Sequence, residues 1–234
     1  MKATPKAHAR LAGALYLVIM VAALFSEIVV RGALIDNSDA AATARNILAN
    51  EKLYRFGGIL DIITYCCDIA VAGLLYQLTS PIGSHLASVT AFFRLAYAAM
   101  AGILCFYWFG AIGILGSSSL GGLSLDQQQA LALSQLDLRN TGFVVALVFF
   151  GIHLMLLGAL FIKALYFPTW LGILLVMAGA CYVANSVTIL ALPTVSLGIW
   201  LLLPGFFSEK LLTLWLLIFG LKEEMWRSQP MAQI

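Results

Sequence analysis

Two carboxylates, Asp61 and Asp68, stand inside a run otherwise fit to cross a bilayer, FGGILDIITYCCDIAVAGLLYQL at 56–78. Seven residues is nearly two helical turns, so on a helix they share a face, with Thr64 and Tyr65 between them. Glu27, Arg94, His153, Asn185 and Glu209 also fall within apolar runs. Carboxylates at membrane depth can exchange protons or hold a cation, and with a histidine they can bind a metal whose water acts as a nucleophile. A charged side chain near the bilayer centre costs on the order of 2.5–3.5 kcal/mol, so these groups are expected to turn into a helix bundle and away from lipid. Glu27, Asp61, Asp68 and Glu209 face only one clearly internal cation, Arg94, which leaves a surplus of negative charge. Protonation of some carboxyls, Arg31 and Lys210 reaching in from the interface, or a bound cation would each balance it.

The elements that must hold these residues follow from composition. The chain has 234 residues, 62% hydrophobic and 10% charged, where a soluble domain carries about 25% charged residues; its mean hydropathy is +0.97. The apolar runs are about 20 residues long and do not alternate, which predicts membrane helices and not barrel strands. In lipid a helix satisfies its own backbone amides. The expected fold is all-α, a polytopic membrane protein: a single domain built as a six-transmembrane-helix bundle. The helices are expected at about 10–31, 55–78, 85–113, 141–163, 168–192 and 204–222, with two short outer surface helices. Ser38 or Asp39 can cap the first surface helix, which runs to Asn50, and Ser124 with Gln127 forms a capping box for the second, through Leu138. The first apolar run is too long for a signal peptide, so it reads as an uncleaved first helix. AYAAMAG in the third helix would let another backbone approach closely. Proline favours a first helical position, so Pro204 reads as the start of the sixth helix, after a short outer segment. Pro193 closes the fifth.

At 1.5 Å per residue, Glu27, Asp61, Asn185 and Glu209 fall roughly 6–12 Å from the outer helix ends, Asp68 and Arg94 about 10–15 Å from the inner ends, and His153 near mid-depth. Six spans put both termini on one side. Lys2, Lys6, Arg10, Lys163, Lys222 and Arg227 would share the cytoplasmic side of the inner (plasma) membrane, against Arg31, Arg45, Lys52, Arg55 and Arg139 in the opposite loops. A net charge of +2 argues against nucleic acid as a partner. Membrane lipid is the expected surrounding, with a small molecule or ion as the ligand of any internal site. Cys66, Cys67, Cys105 and Cys181 read as small apolar fillers. Trp108, Trp170, Trp200 and Trp226 read as interface anchors.

The simplest readings of the polar residues are structural. Asp68 with Arg94 is an ion pair between adjacent helices, Asn185 an interhelical hydrogen bonder, and His153 a packed, hydrogen-bonded side chain. Glu27, Asp61 and Glu209, at one depth, are harder to explain that way. The candidate ligand-binding set is therefore Glu27, Asp61, Asp68, Arg94, His153, Asn185 and Glu209. No phosphate-cradling glycine loop, nucleophile elbow or H-E-x-x-H helix is present, so neither a cofactor nor a catalytic residue is assigned. Three functions stay open: a binder or carrier of a small molecule, lipid or ion; a structural or accessory membrane subunit; and an intramembrane metal-dependent lipid hydrolase. Catalytic zinc favours two or three imidazoles, and His8 and His85 lie near the inner surface, which counts against the last.

Five stretches, in order, resemble the bacterial multi-pass membrane family catalogued as domain of unknown function 4386. They are RLAGALYLVIMVAALFSEIVVRGALI, DAAATARNILANEKLYRFG, AFFRLAYA, FFGIHLMLLGALFIKALYFPTWLGILLVMAGACYVANS and LLLPGFFSEKLLTLWLLIFGLK. The resemblance implies a six-helix integral membrane protein and brings no catalytic roles with it. Glu27, Arg31, Asp61, Asp68, Arg94, His153 and Glu209 match the family's recurring pattern. Asn185 departs from it, standing where relatives are expected to carry aspartate.

Overall fold

The computed structural model describes residues 4–116, 122–192 and 198–228. Lys2, the Ser/Gly-rich link at 117–121, Pro193 and the tail beyond 228 lie outside the described residues. Every regular element among the described residues is helical. The helices are α1 (Pro5–Leu34), α2 (Ala40–Ala49), α3 (Glu51–Thr79), α4 (Ser84–Leu115), α5 (Leu125–Lys163), α6 (Thr169–Ala191), α7 (Leu203–Ile218) and α8 (Glu223–Ser228). Five of them, α1 and α3 to α6, are long and apolar enough to cross a membrane. Large apolar side chains, among them Val21, Ile62, Phe106 and Met177, stand exposed along these helices, as lipid-facing surfaces require. The chain is an all-α polytopic membrane protein. The sixth expected span, α7, has 16 residues, about 24 Å of helix against a hydrocarbon core of about 30 Å. A separate 3-10 turn, Gly198–Leu201, precedes it, and proline occupies its first turn as expected. Gly220 ends it at φ 67°, its N–H donating to the Trp215 carbonyl.

Of the two expected surface helices, one forms as a separate element. Asp39 and not Ser38 caps α2, its carboxylate accepting from the Ala42 amide at 2.8 Å. Ser38 donates instead to the Asp36 carboxylate. The second does not stand alone. Ser124 and Gln127 do form the capping box, at 2.8 and 3.3 Å, but the helix they start runs unbroken for 39 residues to Lys163. That is about 58 Å, roughly twice the hydrocarbon core, so one end projects beyond it. The polar Arg139-Asn140-Thr141 triplet reads as a break in sequence, yet it contains neither proline nor glycine, and Arg139 finds its partner inside the protein.

The end of α1 departs from α-geometry. Phe25–Arg31 is a π-helix, with the Gly32 amide donating to Glu27 five residues back. In a regular α-helix, residues five apart point about 140° away from each other. The wider π-turn brings Ser26 and Arg31 to one side, where both reach Asp61.

The chain divides into two compact units. The first comprises Met1–Val18, Cys67–Ala98 and Val144–Ile234; the second comprises Ile19–Cys66 and Ala99–Phe143. In the first, α5 and α6 approach so closely that a Cβ on Gly151 would sit 2.7 Å from the Gly179 carbonyl oxygen, and one on Gly172 2.7 Å from that of Gly158. The glycines recur every seven residues on both helices, so they line one seam. The expected close approach along AYAAMAG is not at its glycine: a Cβ on Gly102 would meet nothing within 4 Å. In the second unit, Val30, Leu34, Ile47, Tyr54, Trp108 and Leu136 are core residues. Gly57 and Gly58 of α3 make room for Val30 and for Trp108 with Phe109, respectively. Trp108 is fully buried, stacked on Tyr54 at 4.1 Å, and is therefore not an interface anchor. Cys66 is exposed, unlike the buried Cys105, so the four cysteines are not uniformly core fillers.

Candidate functional site

The ionisable residues singled out from sequence sort into two clusters, one in each unit. Asp61 and Asp68 lie on one helix and are both buried, as expected, but they have separate partners.

The first unit holds Arg94. Its Nη2 donates to the Asp68 carboxylate, its Nε to the Asp68 carbonyl and its Nη1 to the Tyr16 hydroxyl. The guanidinium lies 4.7 Å from the Tyr16 ring centroid and 5.5 Å from that of Phe150. Nη1 also sits 3.2 Å from Nε2 of His153, whose Nδ1 is 2.9 Å from the Thr90 carbonyl. Guanidinium only donates and a carbonyl only accepts, so these contacts fix His153 as the neutral Nδ1–H tautomer. Arg94, Asp68, Tyr16 and His153 are all at least 98% buried. One cation meets one anion, and every nitrogen of the guanidinium is engaged. The expected ion pair and the expected hydrogen-bonded histidine are both there; Tyr16 is the partner that sequence did not single out.

Glu209 belongs to this same unit. It accepts a 2.6 Å hydrogen bond from the Tyr182 hydroxyl. Gly205, one turn earlier on α7, permits this, because a Cβ there would collide with the Tyr182 ring. Lys210 lies over the Phe206 ring at 3.5 Å. Asn185 is buried and has no hydrogen-bond partner among the described residues, and neither has the adjacent Ser186 hydroxyl. The interhelical bond expected of Asn185 is thus absent among them.

The second unit holds Asp61. Its Oδ2 accepts from Nη1 of Arg31 at 2.9 Å and from Nη2 of Arg139 at 3.2 Å, while Oδ1 accepts from Ser26 at 3.0 Å. The Arg31 and Arg139 guanidiniums each lie 5.6 Å from the Trp108 ring centroid. Tyr54 and Trp108 lock each other through reciprocal bonds to main-chain carbonyls, 2.8 and 3.1 Å. Glu27 does not join this interior. Its side chain is 69% exposed and bonds Arg31 from outside at 2.7 Å. The expected convergence of Glu27, Asp61 and Glu209 is therefore not what forms: Glu27 faces outward, and Glu209 lies in the other unit with its own partner. The expected surplus of negative charge is also corrected. Arg31 reaches in, and Arg139, read from sequence as a loop cation, is buried beside Asp61. Arg139 was discoverable in principle, because the capping box at Ser124 and the end at Lys163 leave it inside one unbroken helix.

Open concavities lie elsewhere. One of about 530 Å³ is lined by Gly32, Ile35, Asp36, Ser38 and Asn46, and another of about 290 Å³ by Pro5, His8, Gln77, Trp226 and Arg227. Among the described residues no three His, Cys, Asp or Glu side chains come together as a metal-ligand set.

A family model described as Domain of unknown function (DUF4386) matches residues 11–220. A protein of Archaeoglobus fulgidus described as uncharacterized is 31% identical over 170 residues, covering 73% of this chain and 86% of the relative. No solved structure matches.

Proposed function

This chain belongs to the family of the domain of unknown function DUF4386, and we propose that it is a membrane-embedded binding protein or carrier for a small molecule, lipid or ion. Its site is the Arg31–Asp61–Arg139 cluster of the second unit. The observation that carries this reading is one buried carboxylate holding two largely buried guanidiniums. Arg31 has a second partner in Glu27, but that carboxylate is 69% exposed. Inside the protein two guanidiniums therefore share one carboxylate, at a desolvation cost on the order of several kcal/mol that a simple ion-pair brace does not carry. The Arg94–Asp68 network supports the structural alternative for the first unit only. The hydrolase reading gains no donor set, since both ring nitrogens of His153 are already engaged. The protein sits in the plasma membrane with both termini cytoplasmic in this proposal, supported by Lys6, Arg10, Lys163, Lys222 and Arg227 gathering at helix ends that six spans would place on one side.

Native mass spectrometry of the intact protein released from detergent tests the proposal. The wild type and the Arg94→Met/Asp68→Leu double variant should carry a bound adduct that Arg31→Gln/Arg139→Gln loses. Identical spectra for wild type and Arg31→Gln/Arg139→Gln would overturn the binding function.

A further inference from the structure

We infer that the Arg31–Asp61–Arg139 cluster is an oxyanion site, taking the phosphate or carboxylate group of a free molecule or a lipid headgroup. The inference rests on the binding function proposed above and adds the chemical class of its ligand.

Charge is the first ground. Within the buried part of the cluster there are two guanidiniums and one carboxylate, since the Glu27 side chain is 69% exposed and solvated. A cationic ligand would meet two fixed positive charges there, whereas an anion would neutralise the excess.

Unspent donors are the second ground. Arg31 uses Nε on Glu27 and Nη1 on Asp61, and its Nη2 has no partner among the described residues. Arg139 uses Nη1 on Asn140 and Nη2 on Asp61, and its Nε likewise has no partner among them. Guanidinium offers donors and no acceptor, so whatever completes these groups must bring acceptor oxygens. The planar fork of arginine suits the two oxygens of a carboxylate or phosphate. A third donor stands nearby: Thr64, 6% exposed, has a buried hydroxyl with no hydrogen-bond partner among the described residues, three residues along α3 from Asp61 and on the same face.

Preorganisation is the third. Trp108 lies 5.6 Å from both guanidiniums, and an electron-rich indole face holds cations without neutralising them. Asp61 fixes both arginines through one oxygen atom, and Ser26, brought round by the π-turn, fixes Asp61. The arginines are therefore held in place while part of each remains free to donate. This is the arrangement that anion recognition needs, because little ordering remains when the ligand arrives.

The test uses the full chain in detergent. Its thermal unfolding midpoint is followed against potassium phosphate and potassium acetate, with potassium chloride at matched ionic strength as reference. The measurement is repeated in phosphatidylcholine nanodiscs with and without phosphatidylglycerol. A rise of the wild-type midpoint with phosphate or acetate over chloride identifies a soluble oxyanion, and a rise with phosphatidylglycerol alone identifies a lipid phosphate. Arg139→Lys keeps the charge and loses the fork, so its half-saturating concentration should rise about tenfold. Arg31→Gln/Arg139→Gln should give no rise. A wild-type midpoint unmoved by phosphate, acetate and phosphatidylglycerol overturns the assignment, as does an equal rise in wild type and double variant. An adduct lost from Arg31→Gln/Arg139→Gln but lacking any acidic group would overturn the oxyanion class while leaving the binding function standing.

Discussion

The two buried charge clusters differ in how completely they are satisfied. Around Arg94, one cation meets one anion, Tyr16 and Phe150 cover the guanidinium, and His153 caps its remaining nitrogen from the far side. Around Asp61, two cations share one carboxylate oxygen, and part of each guanidinium is left over. Guanidinium nitrogens that the protein itself does not engage can still donate, so the incomplete cluster is the one that can take a ligand. Sequence invites treating all the intramembrane charges as one set. The structure separates a closed brace from an open cluster.

The brace should give the largest stability effect. Arg94→Met leaves Asp68 buried and unpaired, at a cost of about 3–5 kcal/mol. Adding Asp68→Leu should recover most of it, because an apolar pair of similar volume replaces two charges. Chemical unfolding in mixed micelles measures both, and a double variant no more stable than the single would break the comparison. Next comes the glycine seam of the same unit. Gly158→Val pushes a branched side chain against the Gly172 backbone and should cost about 1–3 kcal/mol by the same assay. If valine is accepted without loss, the α5–α6 approach is looser than described.

The open cluster should respond unevenly. Removing one arginine leaves Asp61 paired with the other, so Arg139→Gln should cost only about 1.5 kcal/mol. Asp61→Asn leaves two cations together and should cost more than either single arginine change. Equal losses for Asp61→Asn, Arg31→Gln and Arg139→Gln would mean that this cluster is also a simple brace. The smallest effect lies outside both clusters. The Ser38 hydroxyl and amide hold the Asp36 carboxyl below its ordinary value of 3.8. A lowered folded-state value contributes stability above the unfolded value, and that contribution is lost as the pH falls through the folded one. Ser38→Ala should therefore flatten the acid limb of the stability profile below about pH 4, with no change at neutral pH beyond the lost bond.

What was legible in sequence was what the membrane dictates. Asp61, Asp68 and Arg94 had to turn inward because lipid will not hold them, and they do. The Asp39 cap, the capping box at Ser124 and the first-turn proline of α7 were legible because each satisfies or removes a free amide locally. The π-turn at Phe25–Arg31 was not, since no side chain there announces a wider helix; its consequence, Ser26 and Arg31 facing Asp61 together, went unread with it. Arg139 reads as a loop cation because a charged residue beside Asn140 and Thr141 looks like the end of a span. Its partner lies 78 residues away on α3, out of reach of local pattern. Glu209 was expected beside Asp61 from depth alone, and depth does not specify which neighbour a helix faces.

A density map of the protein in a native-lipid nanodisc would show whether the Asp61 cluster holds a ligand. Density for a bound group is expected beside Nη2 of Arg31 and Nε of Arg139, missing from the same map of Arg31→Gln/Arg139→Gln. Side chains closed over both guanidiniums, with no density between them in the wild type, would contradict that expectation.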